Sequence, residues 1–84
     1  MEILLGTVED YFAHVGVATL KLKKELAVGD TIRINGHTTE LTQVAESMQI
    51  DHKPVNAAKS GDDIGIKVND RVRKGDQVFK IVND

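Results

Sequence analysis

Three times in 84 residues a Gly-Asp pair stands directly before a β-leaning stretch: Gly29-Asp30 before TIRI, Gly61-Asp62 before DIGIKV and Gly75-Asp76 before QVFKIV. Glycine supplies the backbone freedom of a tight turn, and aspartate bonds nearby backbone N–H groups while the chain changes direction. Three turns, each feeding a strand, restrict a chain this short to a small β fold. The same carboxylates could instead serve a hard metal ion, with Asp30, Asp62, Asp63 and Asp76 as ligands. Calcium loops, however, carry their acids at close spacing. Here the acids are spread over separate loops, so turns are expected, with no metal and no cofactor.

The remaining stretches agree with an all-β reading, with one conflict. EILLGTVEDYF leans towards strand, and HVGVATLKL alternates Val15, Val17 and Thr19 against Gly16, Ala18, Leu20 and Leu22. Gly6 and Gly16 inside strand patterns predict a bulge, a bend or a close backbone approach. Asn35-Gly36 after TIRI predicts a two-residue type I′ hairpin, which needs positive φ at both positions. The following residues disagree with it: Leu41, Val44, Ala45 and Met48 fall at helical spacing, whereas a hairpin demands a strand. Pro54 rules out a central strand and predicts a connection. The expected core is Leu5, Val8, Val17, Leu20, Val28, Ile32, Ile34, Val44, Met48, Ile64, Ile66, Val78 and Ile81.

Composition narrows the function classes. The length predicts one domain over residues 1–84. Cysteine is absent, which excludes disulfides, thiolate metal sites and cysteine nucleophiles and suits a reducing cytoplasm. No apolar run approaches the ~20 residues of a membrane span, and MEILLGTVED has no basic signal-peptide start. A cytoplasmic protein without membrane contact is therefore expected. No phosphate-cradling loop is present, so no nucleotide is expected. His14, His37 and His52 are too far apart to signal zinc. Asp51-His52 has no nucleophile specified beside it, so no catalytic residue is assigned and no enzyme is expected.

The net charge is −2, yet basic residues cluster in two places. Lys21, Lys23 and Lys24 form one group, and Lys67, Arg71, Arg73 and Lys74 the other, with Glu25, Asp70 and Asp76 interleaved. Such groups neutralise phosphates in sequence-independent RNA binding. Aromatic stacking partners are few: Tyr11-Phe12 is expected in an exposed loop and Phe79 in the core.

The order of segments adds a resemblance. Val28-Gly29-Asp30, then Gly36 and Thr38, then Ala58, Gly61, Asp62, Ile64 and Gly65, and finally Gly75, Asp76 and Val78 resemble the β-barrel second domain of translational GTPases of the elongation factor Tu type. AESMQIDHKPV resembles stand-alone elongation-factor-like proteins. A similar barrel also looks to be present at the C-terminus of some collagenase-like peptidases. The resemblance implies a small closed barrel of six or seven strands, with strand rather than helix over residues 38–50. It implies a non-enzymatic binding module that contacts tRNA or ribosomal RNA through the two basic clusters. The alternative is a protein-interaction module acting in trans with a larger enzyme, such as a relative of the collagenase-like peptidases. The acid and arginine that hold the aminoacyl end in tRNA-carrying factors are missing at Asn56, Ala57 and Asn69.

Overall fold

The computed structural model describes residues 1–83. Eleven short strands follow one another among them: β1 Glu2–Thr7, β2 Asp10–Phe12, β3 Val17–Lys21, β4 Leu26–Ala27, β5 Thr31–Asn35, β6 Glu40–Val44, β7 Met48–Ile50, β8 Lys53–Val55, β9 Ala57–Ala58, β10 Asp63–Lys67 and β11 Gln77–Ile81. They pair antiparallel into a four-stranded sheet ordered β1-β11-β5-β6, a five-stranded sheet ordered β2-β3-β10-β7-β8 and the small pair β4-β9.

The sheets do not close into a barrel, which corrects the expected closed architecture and its six or seven strands. Closure needs an unbroken ladder with a consistent stagger. Here the two larger sheets meet through isolated contacts. On one side Gly6 lies against β3, where a Cβ at Gly6 would sit 2.6 Å from the Lys21 carbonyl oxygen. One hydrogen bond, from the Lys23 N–H to the Leu5 carbonyl at 2.7 Å, continues that seam. The β1 ladder shifts register between Leu4 and Gly6, so Gly6 is both a bulge and a close approach. On the other side a side chain does the joining. The Gln43 Nε2 donates to the Lys67 carbonyl at 2.9 Å, and its Oε1 accepts the Asn69 N–H at 2.7 Å. That amide ties β6 to the chain leaving β10.

The core is built from the inward positions of both sheets. Ile32, Ile34 and Val78 face Ala18, Leu20, Met48, Ile64 and Ile66, all essentially buried. Leu5, Val8, Leu22, Leu26, Ala45, Ala58, Val68 and Val72 fill its ends. Several of these end residues lie in connections, where no alternation advertises them. Conversely Val28 and Val44, expected inside, are exposed. Val28 is the second residue of a turn, and Val44 pairs with Thr31 on the outward face of its sheet. Val17 and Ile81 are only half-buried.

Residues 38–50 contain β6 and β7, so the helical spacing of Leu41, Val44, Ala45 and Met48 yields to strand. Leu41 pairs with Ile34, and Met48 pairs with Ile66 on β10. The β5–β6 hairpin exists, but not through a two-residue turn. Asn35 ends β5 opposite Glu40, residues 36–39 form the loop, and neither Asn35 nor Gly36 has positive φ. Gly36 is needed for space, because a Cβ there would overlap the Asp76 carboxylate. The two-residue turn with positive φ at both positions stands elsewhere, at Asp51 (52°) and His52 (64°) between β7 and β8. Pro54 is not a connection but lies in β8, an edge strand, where its missing N–H breaks no ladder on the outer side. Tyr11-Phe12 likewise belongs to a strand, β2, with Tyr11 against the core and Phe12 exposed.

Candidate functional site

The three Gly-Asp pairs share one local structure. In Ala27–Asp30, Lys59–Asp62 and Arg73–Asp76 the aspartate N–H bonds the carbonyl three residues back, at 3.1, 3.0 and 3.1 Å. The glycines have φ of 101°, 95° and 96°, the value a type II turn requires at its third position. Each aspartate then returns a carboxylate oxygen to the N–H of the first turn residue: Asp30 to Ala27 at 2.9 Å, Asp62 to Lys59 at 2.9 Å and Asp76 to Arg73 at 2.8 Å. The carboxylates are thus consumed in closing their own turns. Among the described residues, no three His, Asp or Glu side chains stand close enough to hold a metal ion.

Two of these turns frame a surface groove. Ser60-Gly61 and Lys74-Gly75 flank it, the former bonded to Leu22 and the latter to Val8. The structure brings Lys21, Lys23 and Lys74 together here, from both sequence clusters. Glu9 and Asp10 line the same groove. It is a mixed-charge trough with three ammonium groups, two carboxylates and the Thr7 and Ser60 hydroxyls. The other basic residues are not drawn in. Lys24 lies in a neighbouring hollow with Lys59 and Lys80. Arg71 and Arg73 border a hollow beside Glu40 and Asp70. Lys67 is held away by its bond to the Val15 carbonyl at 2.9 Å. Lys23 lines both the hollow of Lys24 and the groove, so Lys21, Lys23 and Lys24 stay adjacent, while Arg71 and Arg73 stand apart from Lys74.

A second constellation escaped the sequence reading. On the outward face of the four-stranded sheet, Arg33 bonds Glu40 through Nε and Nη2 at 2.9 and 2.7 Å, and Glu2 through Nη1 at 3.0 Å. Asn35 supports Glu40 at 3.1 Å. The guanidinium is held well above its ordinary pKa by Glu40 and then Glu2, and Arg33 in turn holds the Glu40 carboxyl below the usual carboxylate range. These charges come from three strands, with Arg33 7 positions from Glu40 across the β5–β6 hairpin and 31 from Glu2, and only the register of the ladders brings them together.

The fold itself has close counterparts. The C-terminal domain of a Geobacillus thermoleovorans protein described as a U32 peptidase superposes with a TM-score of 0.85, covering 96% of this chain and 93% of that one at 23% identity. Its selenomethionine variant gives 0.83. The chain thus has the fold of a U32 peptidase C-terminal domain. In sequence it is 44% identical over 79 residues to an uncharacterized protease of Methanocaldococcus jannaschii, and 33% identical over 81 residues to a collagenase of Porphyromonas gingivalis. These matches cover 93% and 94% of this chain but 19% and 20% of the relatives. The chain spans about a fifth of the length of the curated relatives it matches. No family model matches it. These likenesses overturn the resemblance to elongation factor Tu and the translation reading drawn from it. Of the three groups that the sequence resembled, the similarity lies with the collagenase-like peptidases.

Proposed function

We propose that this chain is a non-catalytic, polypeptide-binding β domain that serves a peptidase of the U32 or collagenase type. The observation that carries this reading is the span of the similarity: nearly all of this chain matches about a fifth of a protease. The proportion fits an accessory unit beside a larger catalytic body. The groove speaks against a nucleic-acid partner, because Glu9 and Asp10 offset Lys21, Lys23 and Lys74. A phosphate backbone favours cation without interleaved acid, whereas a polypeptide offers both signs. We assign the reaction chemistry to the partner and the domain to the cytoplasm, a location that the absence of cysteine suits.

The test is association with the portion of the Methanocaldococcus protease that lies outside the matched segment. That portion is co-expressed with this chain so that it folds in the chain's presence. A complex that survives nuclease treatment and size exclusion supports the reading. Association that nuclease abolishes, or no association at all, refutes it. The purified chain alone should release no peptides from labelled casein or gelatin, and hydrolysis that tracks the pure protein would overturn the non-catalytic assignment.

A further inference from the structure

The outward face of the four-stranded sheet is not the polar surface that a half-solvated antiparallel sheet normally shows. Val78 points inward and is buried, so Phe79 and Ile81 on β11 point outward, and Leu4 pairs with Phe79 on the same side. All three are half-buried, yet none is among the partly buried residues that pack on the core. They cover one another on the outside. Arg33 pairs with Phe79 across the next ladder, and its bond to Glu2 reaches over β11 to β1. Apolar side chains and hydrogen-bonded charges thus share this face, the mixture that protein interfaces carry.

We infer that this face is where the chain docks on the catalytic body of a U32-type peptidase, an inference that rests on the function proposed above. Two further observations point to that occupant. In the Geobacillus protein the fold is the C-terminal domain, so the rest of that chain arrives at the strand matching β1. Here β1 supplies Glu2 and Leu4 to the face, which makes the face continuous with the junction. The size also fits. Four strands about 4.8 Å apart and five residues long at about 3.3 Å each give a patch roughly 15–20 Å on a side. That is about 225–400 Å², the low end of one partner's share of an interdomain contact of ~600–1,500 Å². Glu2 and Glu40 keep outer carboxylate surface, so the matching rim of the catalytic body carries basic groups.

Carboxyl footprinting of the wild-type chain, in the co-expressed complex and free, tests this without any substitution. Protection of Glu2 and Glu40 with Glu9 and Asp10 unchanged is the expected result. Phe79→Ser and Leu4→Ser, each verified as folded by circular dichroism, should weaken the complex tenfold or more. Phe12→Ser, which removes a more exposed ring at the end of β2, should change it less than twofold. Protection at Glu9 and Asp10 instead, or a loss only with Phe12→Ser, overturns the docking face and leaves the accessory function standing. No complex with the wild-type chain defeats both. Dimerisation of the free chain at about 100 μM that Phe79→Ser abolishes would assign the face to a second copy and overturn the inference.

Discussion

Replacing Gln43 with methionine should test how the two large sheets are held together. Methionine keeps nearly the volume of glutamine but removes every hydrogen bond of the amide. Gln43 is 8% exposed. Its loss orphans the Asn69 N–H, now bonded at 2.7 Å, and the Lys67 carbonyl, now bonded at 2.9 Å. The bond to the Val44 carbonyl at 3.3 Å is weaker and contributes little. A buried polar group left without a partner costs about 1–3 kcal/mol. Two such groups near the surface, where water reaches part of the site, place the loss at about 2–4 kcal/mol. A chain of this length has roughly 4–12 kcal/mol to lose. The melting temperature should fall by about 8–32 °C, taking ~4–8 °C per kcal/mol. Urea unfolding followed by far-ultraviolet circular dichroism measures the loss, and amide exchange at Asn69 localises it. Thr42→Met, on the outward side of the same strand, is the control and should stay within about 0.5 kcal/mol. A shift under about 3 °C for Gln43→Met, with Asn69 still protected from exchange, would refute the claim that this amide joins the sheets.

Other outcomes follow from single sites. Asp51→Asn with His52→Gly puts the residues preferred by a type I′ turn where the backbone already has positive φ. It should stabilise by about 0.5–1 kcal/mol in thermal unfolding, and a lower melting temperature would contradict the turn assignment. Gly6→Ala sets a Cβ 2.6 Å from the Lys21 carbonyl oxygen. It should destabilise by about 2 kcal/mol or more, and an unchanged denaturation midpoint would show that β1 and β3 are further apart. Arg33 holds the Glu40 carboxyl low, so the stabilisation from this pair is present above the ordinary carboxylate pKa and is lost as pH falls through the lowered one. Arg33→Ala should return the Glu40 titration, followed by carboxyl NMR, to the ordinary range, and no movement would mean that the pair does not form.

The strands were largely legible because short apolar alternations with Gly-Asp punctuation leave few other folds open. What the pattern could not supply was which neighbour each strand meets. Leu41, Val44, Ala45 and Met48 have helical spacing, but Ile34 and Ile66 reward the extended pairing. Asn35-Gly36 carries the composition of a two-residue turn. The Asp76 carboxylate packs against Gly36 from far along the chain, and there the hairpin opens into a four-residue loop. Asp51-His52 takes the tight geometry without glycine, since Asp and His are among the non-glycine residues that enter the left-handed region. Leu22, Ala45, Val68 and Val72 are core residues in coil, where period-two reasoning has nothing to count.

The site was less legible for a related reason. QVFKIV is apolar at Val78, Phe79, Ile81 and Val82, so alternation shows two faces without saying which is inside. Only the pairing of Phe79 with Arg33 and Leu4 turns that ring outward. The motifs that suggested translation factors were Gly-Asp turns and the glycine of a hairpin loop. Each solves a steric problem that any small antiparallel fold meets at its corners, and each carboxylate is spent on its own turn. Residues committed to closing turns carry information about local structure, and different small antiparallel domains can share them whatever they bind. Arg33, Glu2, Leu4 and Phe79 close no turn and lie outside the buried core, and the docking inference rests on them. A comparison of function should therefore weigh those four positions above the three Gly-Asp pairs.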